Sequence, residues 1–438
     1  MPTILRADAR SLPLADDSVD LVVTSPPYFR QRSYQDGGRH YDRQLGAEST
    51  VAEYLDALLE ATRECLRVLK PSGSIWVNLG DKYAARCSSR QASGRAVPDG
   101  DDGIRCRSVP NRVGIREKSL LGLPWRYALR CIDELGLILR AEVVWFKPNG
   151  LPESVRDRVR RSHETWFQFT ARPRYYSAVD EIREPAKADL LVRPQSRRAL
   201  ETFYAAGFGE AHLAAVRAVA GLDGKTSTAR RGGARDHEAV AMASEVRAAL
   251  GSLYPDLCAS LGKLPGSVWE VATQPLKVPE ELGVDHFAAF PMELPRRMIL
   301  GWSPREICTA CGEGRRPAVA AQRTLDGRPV AIGGWKRGGS QQVTAGIGNW
   351  RFATSRHVVG YRCACSGGSA AAVPGVVLDP FGGTGTTALV AVMLGRHGIS
   401  VDASADYCRL AEWRASDPLQ RAKAARPVNV RHSRRAEG

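Results

Sequence analysis

The segment VVLDPFGGTGTT, at residues 376–387, constrains the fold of this chain more than any other feature. An apolar strand leads into a glycine-rich turn, and a helix is predicted over Thr386–Leu394. Glycines let a ligand approach the backbone closely, and the start of the helix offers unpaired N–H groups. A second predicted strand, GISVD at residues 398–402, ends in an acid about 20 residues downstream, where a carboxylate can accept both hydroxyls of a ribose. The pattern predicts a strand–turn–helix–strand unit that binds a nucleoside.

The same turn lacks the features of a phosphate-binding loop. It has no lysine of the kind a P-loop requires, and its glycines do not follow the dinucleotide spacing G-x-G-x-x-G. A ligand that contains a nucleoside but no essential phosphate is therefore favoured, and S-adenosylmethionine is one.

A second motif, TSPPY at residues 24–28, follows a buried strand predicted over Ser18–Ser25. Two successive prolines fix φ and remove two backbone donors, so the carbonyls are held rigidly and stay free to accept hydrogen bonds. Ser25 adds an acceptor, and Tyr28 adds a flat aromatic face. Such a cluster suits a planar group that carries an exocyclic amine. For this motif alone, a strand that simply ends in a turn is the alternative interpretation.

Strands and helices alternate through the rest of both halves. Thr50 and Glu53 form the pattern of a capping box at the start of a helix predicted over Val51–Leu69. Pro71-Ser72-Gly73 is predicted to break that helix before the next strand. The further predicted elements are strand Ser74–Leu79, helix Pro124–Leu135, strand Ala141–Phe146 and strand Thr165–Phe169. This alternation predicts a doubly wound, largely parallel α/β sheet covered by helices.

Four of the ten cysteines form a group with metal-ligand spacing. Cys308 and Cys311 are separated by two residues, and Cys363 and Cys365 follow, separated by one. Four thiolates on two tight loops match a structural zinc site, and reduced structural cysteines are the alternative. Ten cysteines in 438 residues are too sparse for a disulfide scaffold.

Composition restricts the partners of the chain. Fifty-two arginines and ten lysines against 47 acids give a net charge of +15. The basic excess fits a polyanion, although an arginine-rich composition inherited from a GC-rich genome would have the same effect. No apolar run approaches the roughly 18 residues of a membrane span, and residues 1–6 have no apolar signal segment. A cytoplasmic protein with no membrane partner is expected.

TSPPY and DPFGGTGTT together resemble the DNA amino-methyltransferases, which methylate N4 of cytosine or N6 of adenine. The catalytic motif precedes the cofactor motif, which is the order of the circularly permuted beta class. Other segments are similar to family blocks: Leu5–Asp8, Asp17–Asp20, Trp145–Asn149, Pro152–Val155, Asp157-Arg158, His163-Glu164 and His286–Pro291. The resemblance covers residues 1–180 and 265–412.

The resemblance implies a permuted, seven-stranded Rossmann-like sheet, S-adenosyl-L-methionine as methyl donor and double-stranded DNA as substrate. The implied catalytic residues are Ser25, Pro26, Pro27 and Tyr28, which would accept the hydrogens of a flipped base's amine and stack on its ring. The implied cofactor-binding residues are Asp8, Phe290, Asp379, Phe381, Gly383, Gly385, Thr386 and Asp402. Asp402 would bind the ribose, Asp8 would lie near the adenine, and Phe290 would line the methionine side.

The resemblance leaves alternatives open. SPPY is commoner in cytosine-N4 enzymes and DPPY in adenine-N6 enzymes, with exceptions in both directions, so cytosine N4 is favoured and adenine N6 is the alternative. A glutamine-N5 protein methyltransferase has the opposite motif order. A catalytically inactive DNA-binding accessory protein conflicts with the intact motifs. The enzyme would serve restriction–modification, with a separate cognate endonuclease, or act as an orphan.

The chain is predicted to divide into four segments. Residues 1–184 are the catalytic half, with an exposed insertion at about 82–118, and 267–414 are the cofactor half, with the cysteine insertion at about 305–366. Residues 185–266 are predicted as a helical target-recognition insertion. Its basic loop Gly224–Arg235 could contact DNA phosphates or be simply solvated. Residues 415–438 are expected to form a loosely ordered basic tail.

Overall fold

A computed structural model describes residues 1–31, 35–37, 39–40, 44–84, 115–150, 152–183, 207, 209, 211–212, 245, 264–284, 289–325, 352–363, 365 and 370–425. Contacts divide the chain into two units. The first contains Met1–Ile182, Gly266–Arg316 and Arg362–Gly438, and the second contains Arg183–Pro265 and Pro317–Tyr361. Both sequence motifs therefore belong to the first unit. Nearly all of the predicted recognition insertion lies outside the described residues, so its helices and its basic loop stay predictions.

The described elements are fourteen strands and six α-helices. The strands are β1 (Thr3–Arg6), β2 (Val19–Thr24), β3 (Gln35–Asp36), β4 (Arg39–His40), β5 (Leu69–Leu79), β6 (Ile138–Phe146), β7 (His163–Thr170), β8 (Val268–Glu270), β9 (Glu306–Cys308), β10 (Arg316–Leu325), β11 (Phe352–Arg362), β12 (Ala372–Pro374), β13 (Val376–Asp379) and β14 (His397–Asp402). The helices are α1 (Val51–Val68), α2 (Leu123–Leu135), α3 (Glu293–Trp302), α4 (Thr386–Met393), α5 (Ala405–Ser416) and α6 (Pro418–Ala425), with 3-10 turns at Val179–Ile182 and Glu280–Leu282.

The central sheet has the order β1-β14-β13-β2-β5-β7-β6-β8. All neighbouring strands run parallel except at β7, which is antiparallel to both β5 and β6. The α/β architecture and the largely parallel sheet are as predicted. The sheet has eight strands where seven were expected, because the three-residue strand β8 pairs with the end of β6. A strand so short leaves no periodic pattern in the sequence.

The sheet buries both of its faces. Alternate residues of β2 point to opposite sides: Val22 joins one hydrophobic cluster, while Leu21 and Val23 join the other. The first cluster includes residues of α1 and α2, and the second includes residues of α3 and α4. Period-two alternation between two apolar clusters is the arrangement expected of a doubly wound sheet.

The capping box at the start of α1 is confirmed. Thr50 accepts a hydrogen bond from the backbone N–H of Glu53, whose carboxylate accepts from the backbone N–H of Thr50. Helix α1 ends at Val68, before Pro71-Ser72-Gly73 and within one residue of its predicted end. The predicted start of the next strand at Ser74 is wrong, because β5 begins at Leu69 and contains Pro71-Ser72-Gly73. Residues 70–73 lie in a bulge of the β2–β5 ladder, where a proline without an N–H is tolerated.

The C-terminal segment differs in part from the expected tail. Residues 418–425 form α6, in which Gln420 and Ala424 are buried, so the expectation of loose order is wrong there. The helix packs through these buried residues, and the carbonyl of Ala424 accepts a hydrogen bond from Arg296. Residues 426–438 and 85–114 lie outside the described part of the chain. Within that part, no helix has the length and the apolar character needed to cross a membrane.

Candidate active site

The sheet topology brings the two motifs to one edge. β1, β14, β13 and β2 are consecutive parallel neighbours, so their carboxyl ends, and the residues that follow them, face the same side. In open α/β sheets ligands bind outside this edge. The edge therefore collects Asp8, Asp402, the glycine-rich turn and Ser25. Pro26 and Phe381 also line one small apolar cavity, which places the two turns in the same neighbourhood.

The glycine-rich turn after β13 is held by its backbone. Gly383 and Gly385 have φ of 49° and 70°, in the left-handed region that favours glycine. A Cβ on Gly385 would lie 2.9 Å from the Cβ of Ala411, and a Cβ on Gly382 would overlap the Ser400 hydroxyl. The turn therefore requires glycine both for its backbone conformation and for its close approach to β14 and α5.

Asp379 lies in the protein interior and is 1% exposed. Its carboxylate accepts hydrogen bonds from Thr24 Oγ1 at 2.7 Å, from Thr387 Oγ1 at 2.9 Å and from the backbone N–H of Phe381 at 3.2 Å. Burial raises the pKa of Asp379 to about 6. The structure thus places Asp379 as a link between the end of β2 and the glycine-rich turn, with protein donors on both of its oxygens.

Asp402, at the end of β14, accepts backbone hydrogen bonds on both of its carboxylate oxygens. Its Oδ2 accepts the backbone N–H of Gly383 and its Oδ1 accepts that of Ser404, each at 2.9 Å. A carboxylate has about four lone-pair positions, so acceptor capacity remains for two hydroxyls. Burial raises the pKa of Asp402 to about 6, and the nearby Asp36 carboxylate contributes in the same direction. The residues at this edge therefore fit the nucleoside of S-adenosylmethionine.

The other predicted cofactor residues have different surroundings. Asp8 forms a salt bridge with Arg10, whose guanidinium holds the pKa of that carboxyl below its usual value. Phe290 is half-buried and meets the Trp166 ring edge to face, with centroids 5.8 Å apart. Thr386 is buried, and its hydroxyl accepts a hydrogen bond from Arg414 at 2.7 Å. Of these three residues, Thr386 is the one whose polar group hydrogen-bonds to a buried side chain.

The SPPY turn is braced by a buried amide that sequence reasoning did not identify. Asn78, 1% exposed near the end of β5, lies with its Oδ1 3.2 Å from Ser25 Oγ and 2.6 Å from the Tyr28 hydroxyl. The Asn78 side-chain amide donates to the carbonyl of Thr165 on β7, which fixes its orientation. When Ser25 donates its proton to Asn78, the lone pairs of Ser25 Oγ stay available to a donor outside the protein.

Tyr28 has a second brace from the antiparallel strand. Its hydroxyl lies 2.8 Å from Glu164 Oε2, and Lys147 forms a salt bridge with the other oxygen of Glu164. Burial, followed by the negative charge of Glu164, raises the pKa of Tyr28 well above its ordinary value. Tyr28 therefore keeps its proton, which it can donate to Glu164 or to Asn78.

Close contacts complete the position of this turn. The Tyr54 hydroxyl donates to the Pro27 carbonyl at 2.9 Å, so that carbonyl already has a protein partner. A Cβ on Gly80 would lie 2.7 Å from the Tyr28 ring, so the ring requires glycine beside it. Lys147 and Glu164 lie in segments that resemble family blocks, but the resemblance does not predict that they support Tyr28. For Asn78, the only available signal was one amide within the apolar run SIWVNL.

The four predicted cysteine ligands also come together. The sulfur atoms of Cys308, Cys311, Cys363 and Cys365 all lie within 4.8 Å of one another. The other three cysteines among the described residues, Cys65, Cys131 and Cys408, are free thiols outside this cluster.

Several known proteins are similar to this chain. A family model described as DNA methylase matches residues 19–307 and 370–413. Type II methyltransferase M.SmaI of Serratia marcescens is 37% identical over 226 residues, which are 50% of this chain and 73% of that protein. Type II methyltransferase M.Cfr9I of Citrobacter freundii is 39% identical over 186 residues, 42% of this chain and 58% of that protein. A solved structure, PvuII DNA methyltransferase (cytosine-N4-specific), is 16% identical with a TM-score of 0.44 and covers 98% of this chain and 90% of its own.

Proposed function

The chain belongs to the DNA methylase family of N6 and N4 amino-methyltransferases, and we propose on that premise that it methylates N4 of cytosine at a specific site in double-stranded DNA. The observation that carries the proposal is the Ser25–Asn78–Tyr28 arrangement at the same sheet edge as Asp402. Ser25 and Tyr28 provide hydrogen-bond acceptors and an aromatic ring for a base. Asp402 provides a carboxylate for the nucleoside of the cofactor.

The chemistry requires help for a weak nucleophile. The lone pair of an exocyclic amine is delocalised into the base, so the nitrogen attacks poorly while it stays planar. Ser25 Oγ and the Pro26 carbonyl accept hydrogen bonds from the two N–H groups of the amine, which favours a tetrahedral nitrogen. The Ser25 hydroxyl donates its own proton to Asn78, so that proton points away from the base. Tyr28, held by Asn78 and Glu164, stacks on the ring. Positioning and electrostatics of this kind supply most of the acceleration.

S-adenosylmethionine, when bound, supplies the electrophilic methyl group. Asp402 accepts the ribose hydroxyls, and the turn through Phe381, Gly383 and Gly385 allows the cofactor to approach the backbone. Asp8 and Phe290 extend the site toward the adenine and the methionine. Asp379 and Thr386 act through the turn rather than on the cofactor, because each has interior partners.

DNA approaches this edge because the proposed pocket for the base lies there. The target amine is inaccessible while the base is stacked in the duplex. The base must leave the stack, which costs a few kcal/mol. Residues 147–162 connect β6 to β7 at the same edge, and Arg156 and Arg160 in this loop are exposed. They are suited to neutralise phosphates. The segment 185–266 remains our candidate for reading the recognition sequence.

Cytosine is preferred to adenine because the first residue of the motif is serine. Relatives named type II methyltransferases support a role in restriction–modification, with a cognate endonuclease as a separate partner. An orphan enzyme would have the same chemistry without that partner.

Methyl transfer from labelled S-adenosylmethionine to unmethylated double-stranded DNA tests the proposal. We expect label in DNA, N4-methylcytosine after digestion to nucleosides, and strongly reduced labelling with Ser25→Ala. N6-methyladenine instead would overturn the assignment of the base, and unlabelled DNA would overturn the proposed activity. Label in added protein would indicate a glutamine methyltransferase. DNA binding without label would indicate an inactive accessory protein.

A further inference from the structure

The cysteine cluster has no part in the proposed methyl transfer. Cys308 ends β9, Cys311 follows in the next turn, and Cys363 and Cys365 come directly after β11. We propose that these four cysteines bind one structural Zn²⁺ ion as thiolates.

The four sulfur atoms lie close enough together to share a single metal ion. A Zn–S bond of about 2.3 Å sets neighbouring sulfurs about 3.8 Å apart in an ideal tetrahedron. The separations are 3.8 Å for Cys308 and Cys365, 2.9 Å for Cys311 and Cys363, and 3.2 Å for Cys363 and Cys365. All exceed the disulfide bond length of about 2.05 Å, so the sulfurs are gathered around a point rather than joined in pairs.

The backbone around the sulfurs has the form of a metal knuckle. The backbone N–H of Cys365 donates to the Cys363 sulfur at 3.4 Å. Gly312 has a φ of 73° and donates its N–H to the Cys308 carbonyl, which closes the turn. Donors aimed at sulfur stabilise the thiolate form that a metal requires, and such outer contacts orient the ligands.

The ion would fix the chain that leads into the cofactor strand. Cys308 pairs with Ala372 where β9 meets β12, and Gly375 then connects β12 to β13. A Cβ on Gly375 would lie 2.3 Å from the carbonyl oxygen of Pro304, so this passage is already tightly packed. A metal on Cys308 would therefore hold the start of β13 from one side.

The ion would also close a long insertion at its base. About 50 residues separate the two cysteine pairs, and cross-links that close long loops remove the most chain entropy from the unfolded state. Four protein thiolates leave no open coordination position for a reactive water, so the site is structural rather than catalytic.

Metal analysis of the full-length protein, purified without chelators, tests the inference. We expect one zinc per chain. Cys311→Ser and Cys363→Ser should each lose it, whereas Cys131→Ala, which removes a thiol on α2, should retain it. Iron in place of zinc, or wild-type protein free of metal, would overturn the proposal.

Cobalt substitution covers the case in which a cysteine variant fails to fold. Wild-type protein stripped of metal should bind one equivalent of Co²⁺ and develop the intense thiolate-to-cobalt absorption of a tetrahedral sulfur site. Its thermal midpoint should fall on chelation and return with Zn²⁺ but not with Mg²⁺. Absence of the cobalt spectrum, or disulfides in non-reducing mass spectra of the wild type, would contradict a zinc site. None of these measurements depends on methyl transfer, so their failure would leave the proposed function untouched.

Discussion

The two loops at the ligand edge are held in opposite ways. The SPPY turn at residues 25–28 relies on side chains from other strands, since Asn78 on β5 and Glu164 on β7 reach Ser25 and Tyr28. The glycine-rich turn after Asp379 relies on its own backbone conformation and on N–H groups that donate to the carboxylates of Asp379 and Asp402. Individual side-chain hydrogen bonds position the SPPY turn, whereas backbone conformation and backbone hydrogen bonds position the glycine-rich turn.

This difference predicts a division of labour. Changes in the side-chain network should lower turnover and leave cofactor affinity intact, whereas changes at Asp402 should weaken the cofactor and leave saturated turnover nearly unchanged. Variants of the two loops should therefore differ in whether they lower turnover or cofactor affinity.

The largest effect is expected for Ser25→Ala. Removing one positioned group at the reacting nitrogen should reduce kcat by about 10²–10³-fold, comparable to the loss of one donor from an oxyanion hole. The dissociation constant of S-adenosylmethionine, measured by calorimetry, should stay within about twofold because the Ser25 hydroxyl hydrogen-bonds to Asn78 on β5, outside the cofactor turn. An equal loss in cofactor affinity would break the separation between the loops.

Asp402→Asn should have the opposite signature. Hydrogen bonds to a charged acceptor contribute about 1.5–3 kcal/mol, so cofactor affinity should fall about 10–100-fold with little change in kcat at saturation. Asp133→Asn, an exposed acid on α2, is the matched control and should bind normally. A variant with normal affinity and low kcat would place Asp402 in the chemistry instead.

The same acid predicts a dependence on pH. Its pKa is raised to about 6, so cofactor affinity should fall as the pH drops through 6 and Asp402 gains a proton. Asp402→Asn should flatten that profile.

The free energy of unfolding should change with pH in the opposite direction to cofactor affinity. Asp379 and Asp402 bind protons in the folded state that unfolded carboxylates, with a pKa of about 4, release, so this contribution to the unfolding free energy increases as pH falls from about 6 to 4. Parallel slopes for affinity and thermal stability would contradict the assignment.

Glu164→Gln is expected to have an intermediate effect on turnover. The change leaves the half-buried Lys147 without its carboxylate and loosens one brace of Tyr28, while Asn78 remains as the other. We expect kcat to fall about 10-fold, in line with the loss of one charge-assisted hydrogen bond. Glu153→Gln breaks an ion pair with Arg158 in the loop between β6 and β7 and serves as the control. Equal losses in the two variants would indicate damage to that loop rather than to the position of Tyr28.

The smallest effect is expected for DNA contacts outside both loops. Arg156→Glu and Arg160→Glu should weaken DNA binding a few-fold each and reduce the salt slope by about one per lost phosphate contact. Cofactor affinity should not change. Arg63→Glu, exposed on α1, makes the same change of charge away from the edge, and a similar loss there would show that net charge alone governs binding.

Local patterns predicted the elements that bring the motifs together. The capping box at Thr50, the strand before Ser25 and the strand–turn–helix unit around Gly383 lie within a few residues of their predicted bounds. Each depends on neighbours in the sequence, which is where periodicity and capping preferences have their information.

The bracing of Tyr28 could not be predicted in the same way. Asn78 and Glu164 reach it only because β7 runs antiparallel to β5 in one register, and nothing local to either strand encodes that register. Asp379 shows the same limit. The motif marks it as a ligand-side acid, but its buried contacts with Thr24 and Thr387 appear only once β2 lies beside β13.

The neighbouring positions of β2 and β13 have a consequence for the timing of synthesis. Thr24 and Asp379, which hydrogen-bond to each other, are 355 residues apart in the chain. At about 5–20 residues per second, a ribosome needs roughly 20–70 s after making the first to deliver the second. The SPPY turn is therefore translated long before β13, the strand that pairs with β2 in the sheet. A nascent chain that has not yet reached Asp379 lacks the hydrogen bond between the two motifs, so the proposed active site can assemble only after β13 has been translated.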